Sequence, residues 1–311
     1  MYFCSKILFS IKKTAIFFCF FEEKTHLCTL FILKYERMIP LFRQICLSGL
    51  ALLAGCVLVA CQSVFDVHPY DMNLHGEHDI NATQIARIRQ LYNLRDTLRI
   101  AFISDTHQWY TQTKAEIADI NRRKDIDFVI HCGDMTDTGT TNEFRMFRNI
   151  LRDLDAPHVV LLGNHDFLGT GDQTYEWMFG PRNFSFIVSR IKFLCIDTNA
   201  MEYDRVAPVP DFDYMEREIT ADSADFDRTI IIMHAAPYSD EFNNNVSRVF
   251  NYYTLQFPGL MCCIYGHDHV DITHRIYEDG PMYHSIDCAQ HRNYKIFTIT
   301  PDGYEVERID Y

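Results

Sequence analysis

Apolar runs of strand length alternate with stretches of helical spacing along most of the chain after residue 97. Strands are predicted near 98–103, 126–132, 158–163, 184–188, 191–197, 228–233 and 260–265, where apolar residues run together. Helices are predicted near 113–124, 140–154, 212–220 and 244–255. Ile80, Ile85, Ile88 and Leu91 keep the same helical spacing, with Asn81 as a good N-cap, so a short helix is expected there as well. Beyond Asp271 the helical period is lost. The segments IYEDGPMYHSID and KIFTITPDGYEVERI read as strands alone, with Asp279-Gly280 and Asp302-Gly303 as hairpin turns. Alternating strands and helices followed by a β meander argue for packed sheets flanked by helices. No internal repeat or Gly/Ser linker interrupts the pattern, so residues 96–311 read as one domain.

The first sixty residues follow a different rule. From Met38 the chain reads MIPLFRQICLSGLALLAGCVLVACQS: one Arg, an apolar run, then small residues before a Cys. That order is the layout of an export signal. The run from Ile45 to Ala60 is 16 residues, short of the roughly 20 that span a bilayer. The segment resembles a bacterial lipoprotein signal, with Leu58-Val59-Ala60-Cys61 as its cleavage box and Cys61 as the lipidated residue. Leu53-Ala54-Gly55-Cys56 fits the same box but leaves Val57-Leu58-Val59 to open the mature chain. The resemblance implies a signal over 38–60, a tether with a short helix over 61–95, and an exported protein anchored by lipid to a bacterial membrane, facing the periplasm or the outside. An uncleaved signal anchor is the alternative. Residues 1–37, rich in Phe, Lys and Ile without turn signals, are expected to be an upstream extension read from too early a start. N-terminal sequencing of the exported protein tests this: peptides from before Met38 would refute it.

Five polar motifs each close a predicted strand: Asp105-Thr106-His107, Gly133-Asp134, Gly163-Asn164-His165-Asp166, Met233-His234 and Gly266-His267-Asp268-His269. Ligand sites in open α/β sheets gather beyond the carboxyl ends of strands, so the five are expected to converge. Imidazole and carboxylate suit Mn, Fe, Zn or Ni, and the absence of Cys from the motifs argues against a structural zinc site. If the strand ends stay extended, Asp105 and His107 share one face, as do His267 and His269. The glycines at 133, 163 and 266 are expected to let the backbone turn sharply before each donor.

In this order the motifs resemble those of the calcineurin-like metallophosphoesterase superfamily, with FISDTH, GDMTDTG and GNHD closest in spelling to its cyclic-nucleotide phosphodiesterase-like branch. The resemblance implies an α/β fold, a four-layer α/β/β/α sandwich of two mixed sheets. It also implies two divalent or trivalent metal ions: Asp105, His107 and His269 on one, Asn164, His234 and His267 on the other, and Asp134 between them. His234 stands in Met-His-Ala-Ala-Pro rather than the family's usual context. Such a pair of ions would activate a bridging hydroxide to hydrolyse a phosphate ester, monoester or diester, with a nucleotide pyrophosphatase or a non-catalytic scaffold as the competing readings. His165 is left over as a proton donor to the leaving group. Asp166 either orients His165 or caps the turn.

Charge narrows the substrate. Residues 1–61 hold 7 Lys and Arg against 3 Glu, so of the chain's 29 basic and 42 acidic residues the remainder keeps 22 − 39 = −17. Such a domain repels nucleic-acid backbones, and no basic groove is evident, so a small phosphoester or nucleotide is the expected partner. Trp109 and Tyr110, and Tyr175, Trp177 and Phe179 in a predicted loop after the third motif, are candidates for stacking on it, with local packing as the plainer role. Cys132, Cys195, Cys262 and Cys263 sit in apolar runs and are expected to be buried free thiols.

Overall fold

Alternate residues of β1 (Leu98–Ile103) enter two different cores: Ile100 and Phe102 join one, Ala101 and Ile103 the other. Side chains of a strand point to opposite faces in turn, so a continuous apolar run marks a strand covered on both sides. β10 (Asn293–Thr300) divides the same way, with Phe297 and Ile299 on one face and Tyr294 and Ile296 on the other. In a computed structural model, which describes residues 44, 47–53, 55–56, 68, 70–203 and 207–311, these strands lie in a five-stranded sheet of order β11-β10-β1-β2-β3. Its other members are β2 (Phe128–His131), β3 (His158–Val160) and β11 (Gly303–Asp310). β1, β2 and β3 are parallel, and β10 and β11 are antiparallel additions.

A second, six-stranded sheet has the order β4-β5-β6-β7-β9-β8. It comprises β4 (Phe184–Val188), β5 (Ile191–Ile196), β6 (Arg228–Met233), β7 (Leu260–Tyr265), β8 (Thr273–Arg275) and β9 (Met282–Ser285). β5, β6, β7 and β9 run parallel, with β4 and β8 antiparallel at the edges. Phe193, Ile230, Ile232, Cys262 and Ile264 share a core with Ile100, Phe102, Phe128 and Ile130 of the first sheet, so the two sheets face each other. Truncating such a residue, for instance Ile230→Ala, costs about 2–5 kcal/mol, because the cavity does not fully collapse.

The outer faces carry the helices. α2 (Tyr110–Arg123), α3 (Thr141–Leu151) and α4 (Gly171–Met178) cover the first sheet through Ile117, Ile120, Phe144, Phe147 and Tyr175. α5 (Phe212–Thr220) and α6 (Ser247–Thr254) cover the second through Met215 and Phe250. Three cores between four layers give the α/β/β/α sandwich of two mixed sheets expected above.

α1 (Ile80–Tyr92) closes the edge shared by β3 and β4. The Asn81 side-chain amide donates to the Val160 carbonyl (2.8 Å) and accepts from the Val160 amide (3.0 Å). The expectation of an N-cap at Asn81 is corrected by this: its side chain is occupied with the sheet edge, Asp79 holds the cap position without a side-chain bond, and Leu91 is left exposed. Pairing the bare strand edge satisfies backbone groups that would otherwise face solvent. The folded unit runs over residues 69–311, and α1, placed by the sequence with the tether, packs within it through Ile85 and Ile88. In the other unit, residues 1–68, the described positions 47–53 are helical with exposed leucines. Residues 1–43 and Cys61 lie outside the described residues. Among the described residues no helix is long and apolar enough to cross a membrane.

Most predicted elements appear within a few residues of their expected bounds. Two differ in kind. α4 replaces the loop expected after the third motif, and residues 244–246 form a 3-10 turn before α6.

Candidate metal centre

The seven donors leave the carboxyl ends of five strands, three in one sheet (β1, β2, β3) and two in the other (β6, β7). Main-chain bonds lock the loops together: the Asp105 amide donates to the Gly133 carbonyl (3.0 Å), the His107 amide to the Asp134 carbonyl (3.1 Å), and the Gly266 amide to the His234 carbonyl (3.0 Å). The sheets are joined where the His267 amide donates to Oδ2 of Asp105 (3.1 Å).

Strand parity does not aim Asp105 with His107 or His267 with His269, contrary to the expectation from extended strand ends. These four residues and Asp134 all take left-handed backbone, with φ between 44° and 69°. Such a conformation costs a non-glycine residue roughly 1–2 kcal/mol. Five of seven donors are therefore aimed by turns that the loop bonds hold in place, rather than by extended chain. Gly133 does turn as expected: its φ is +104° and a Cβ would stand 2.5 Å from Nδ1 of His234. Position 163 has ordinary φ. There the need is close approach, since a Cβ would lie 2.1 Å from Oδ1 of Asp134.

Two groups of donors result. Asp105, His107 and His269 offer atoms within 4.8 Å of one another, as do Asp134, His234 and His267. In the first, Nε2 of His107 and Nε2 of His269 face each other at 3.3 Å, and Oδ1 of Asp105 is 3.2 Å from His269. In the second, Oδ2 of Asp134 is 3.3 Å from Nε2 of His234; the same oxygen is 3.6 Å from Nε2 of His107 in the first group. Asp134 thus lies between the two. Asn164 Oδ1 joins the second group, 2.9 Å from Nε2 of His234 and 3.2 Å from Nδ1 of His267.

The donor chemistry fits two cations. Asp105 and Asp134 are buried, and among the described residues neither is paired with Lys or Arg. A buried carboxylate without a cation is costly, so the missing charge points to the space between the groups. The histidines respond to the same field. Burial works against protonating His234, but Asp134 and Asp105 push it up to about 10. Burial likewise opposes ionising Asp105, yet the bond from His269 and the charges of His234 and His269 hold it well below the usual carboxylate range. Tautomers follow from the neighbours. A carbonyl only accepts, so Nδ1–H of His234 donates to Cys132 O (2.9 Å), which turns Nε2 toward Asp134 and Asn164.

Asp166 does not touch the ring of His165. Its enclosed carboxylate accepts from the amides of Gly163 (3.0 Å), Met135 (3.2 Å) and Thr136 (2.9 Å) and from the Thr136 hydroxyl (2.9 Å). These are the bonds of a brace between the second and third loops, and they match the turn-capping alternative. Burial and the nearby Asp134 charge push Asp166 up to about 7 against the pull of those donors. The orienting partner of His165 is instead the Asp137 carbonyl, which accepts from Nδ1 at 2.9 Å. Burial lowers the His165 affinity for a proton, but Asp134, Asp137 and Asp166 leave it raised on balance.

Sequence reasoning missed two partners. Asp240, after β6, places Oδ1 2.8 Å from Nε2 of His267. Asp137, in the quoted GDMTDTG, groups with His107 and His165. The spelling flagged Asp137, but nothing in the sequence separated Asp240 from other loop carboxylates. Of the aromatic residues named from the sequence, Trp109 stands edge-on to the rings of His107 (5.2 Å) and His269 (5.8 Å). Tyr175 and Phe179 are buried, with the Tyr175 hydroxyl on the Val160 carbonyl (2.8 Å), so packing is their role. Cys132, Cys195, Cys262, Cys263 and Cys288 are buried and unbridged.

A calcineurin-like phosphoesterase family model matches residues 98–271. A 65-residue stretch is 35% identical to a probable glycerophosphodiester phosphodiesterase of Arcobacter nitrofigilis, spanning 20% of this chain and 24% of that protein. The chain therefore matches about a quarter of that relative's length. A dimetal phosphatase from Danio rerio aligns with a TM-score of 0.53 at 11% identity, over 69% of this chain and 99% of that one. GAP50, the anchor in the inner membrane complex of Plasmodium, aligns with a TM-score of 0.51 at 12% identity, over 70% and 85%. At such identities the likeness is one of fold. The family match covers more than half of the chain and contains all five motif loops, so the protein belongs to the calcineurin-like phosphoesterase family of metal-dependent phosphoester hydrolases.

Proposed function

We propose that the protein hydrolyses a small phosphodiester at a dinuclear centre. The observation that carries this reading is the position of Asp134 Oδ2, within 3.3 Å and 3.6 Å of imidazole nitrogens from two separate donor groups. Asp105, His107 and His269 would hold one ion, Asn164, His234 and His267 the other, and Asp134 both. When bound, two such ions supply an acidified water as nucleophile and neutralise the phosphoryl oxygens. His165, anchored at Nδ1 by the Asp137 carbonyl, has Nε2 to give a proton to the leaving alkoxide. Trp109 stands beside the first donor group, edge-on to His107 and His269. The partial match to a probable glycerophosphodiester phosphodiesterase favours a diester over a monoester.

The second part of the reading is export as a lipoprotein, with Cys61 modified and the catalytic unit tethered outside the cytoplasm. It is supported by the Leu-Val-Ala-Cys box at the end of the apolar run. Purified protein with added Mn²⁺ should turn over bis-p-nitrophenyl phosphate faster than p-nitrophenyl phosphate, and elemental analysis of the same sample should give two metal ions per chain. Turnover of neither ester by metal-loaded protein would sink the enzymatic reading. Cys61→Ser should move the protein from the membrane to the soluble fraction; an unchanged distribution rules out the anchor alone.

A further inference from the structure

A cavity of about 650 Å³ lies between α1, the end of α3 and the start of β3. His158, at the amino end of β3, lines it, whereas the metal donors follow the carboxyl ends of the strands, so the two places are at opposite ends of the sheet. None of the seven donors lines it. Its volume is within the ordinary range for small-molecule sites, roughly 300–1,000 Å³.

Three arginines converge here, Arg87, Arg148 and Arg152, in a folded unit that is otherwise strongly acidic. Arg152 is paired, donating from Nη2 (2.9 Å) and Nε (3.2 Å) to one oxygen of Glu77. Arg87 donates to a main-chain carbonyl, that of Asp155 (2.9 Å). Arg148 is the exception: its Nε and Nη1 are buried and have no hydrogen-bond partner among the described residues. Burial and the charges of Arg152 and Arg145 all act against its positive charge, and Glu77 offsets them only in part. Two enclosed guanidinium donors left idle are costly, and an acceptor with two oxygens at fork spacing is what they lack. Gln84 leaves a second orphan in the same cavity, a buried Oε1 with no donor among the described residues. Ile80, Leu151 and Leu154 supply apolar wall beside these groups.

We propose that this cavity is a second binding site, separate from the metal centre, for a small phosphate ester whose phosphoryl oxygens take the idle donors of Arg148 and whose hydroxyl or N–H meets Gln84. The arginine fork matches a phosphoryl group bidentately, and Arg87 with Arg148 exceeds what the single Glu77 carboxylate neutralises. A free phosphorylated polyol and the headgroup of a glycerophospholipid share this chemistry. The site stands whether or not the centre hydrolyses diesters.

The test uses the full-length, metal-loaded chain and 3,4-dihydroxybutyl phosphonate, which presents a phosphonate and two hydroxyls and cannot be hydrolysed. Calorimetric titration of the wild type should show two binding events, one at each place, and Arg148→Gln should lose one of them, weakening it by about tenfold or more. Hydrolysis of bis-p-nitrophenyl phosphate should be equal in both proteins. Arg148→Lys, which keeps the charge and loses the fork, should fall between them, and Arg87→Gln covers the case in which Arg148→Gln does not fold. To identify the source, vesicles of phosphatidylcholine with or without phosphatidylglycerol are co-sedimented with wild type and variant. Binding that depends on both Arg148 and phosphatidylglycerol assigns the site to lipid, and phosphonate binding without it assigns a free ester. If neither phosphonate binding nor vesicle binding depends on Arg148 or Arg87, whatever the number of events in the wild type, the proposal is overturned.

Discussion

Oδ1 of Asp240 lies 2.8 Å from Nε2 of His267, whose Nδ1 faces Asn164 Oδ1 at 3.2 Å. A carboxylate only accepts, so the ring proton belongs on Nε2, and Nδ1 keeps its lone pair for the space between the donor groups. Partners of this kind orient a metal-binding imidazole and raise its basicity. Asp240→Ala is therefore expected to weaken metal affinity about 10–100-fold while leaving the fold intact. Titration of apoprotein with Mn²⁺ checks this, and an unchanged affinity would leave Asp240 as a surface residue.

Asp166 is expected to act on stability. Its carboxylate serves four donors on two loops, and Asp166→Ala leaves them buried without an acceptor. Unfolding in urea should show a loss of about 3 kcal/mol or more. Asp166→Asn, which keeps one acceptor oxygen, should fall between. A large loss of rate at unchanged stability would contradict the brace.

His165→Ala should keep both metal ions and lose about 10²- to 10⁴-fold in rate on esters with poor leaving groups. On p-nitrophenyl esters, whose leaving group departs without a proton, the loss should be much smaller. The comparison of alkyl and nitrophenyl esters, with metal content measured on the same preparation, separates proton donation from metal binding.

His158 makes the fold sensitive to acid. Burial, and next the charge of Arg87, push it down to about 4. An unfolded histidine titrates near 6.5, so the folded value is the lower of the two. Stability from keeping this ring neutral is fully present above about pH 6.5 and is lost as pH falls toward 4, by roughly 3 kcal/mol. His158→Leu should lose that much less than wild type between pH 7 and pH 4 in matched denaturant melts. Parallel pH curves for the two proteins would show that the ring titrates normally.

Strand position and motif order were legible because each depends on a few adjacent residues. Continuous apolar runs such as FVIH and LMCCIY mark strands buried on both faces, and the polar residues that follow them mark the rim. α4 was not legible, because Gly171-Asp172-Gln173 opens it with turn-forming residues and its helical state rests on Tyr175 and Met178 filling the core under the third loop. Asn81 misled for a similar reason: an N-cap residue type was used by the tertiary structure to pair a strand edge 79 residues away.

What the sequence determined by itself is the set of donors and the strands that carry them, since residue type and apolar period are local properties. Tertiary structure decided how the donors are aimed. Left-handed turns at Asp105, His107, Asp134, His267 and His269 are unfavourable for an isolated chain and persist only because bonds between loops over-determine them. It also decided the supporting partners, Asp240 on His267, Asp137 on His165 and Cys132 on His234. These residues lie 27, 28 and 102 positions from the side chains they hold; neighbouring strands of one sheet bring the first two pairs together, and the packing of the two sheets brings the third.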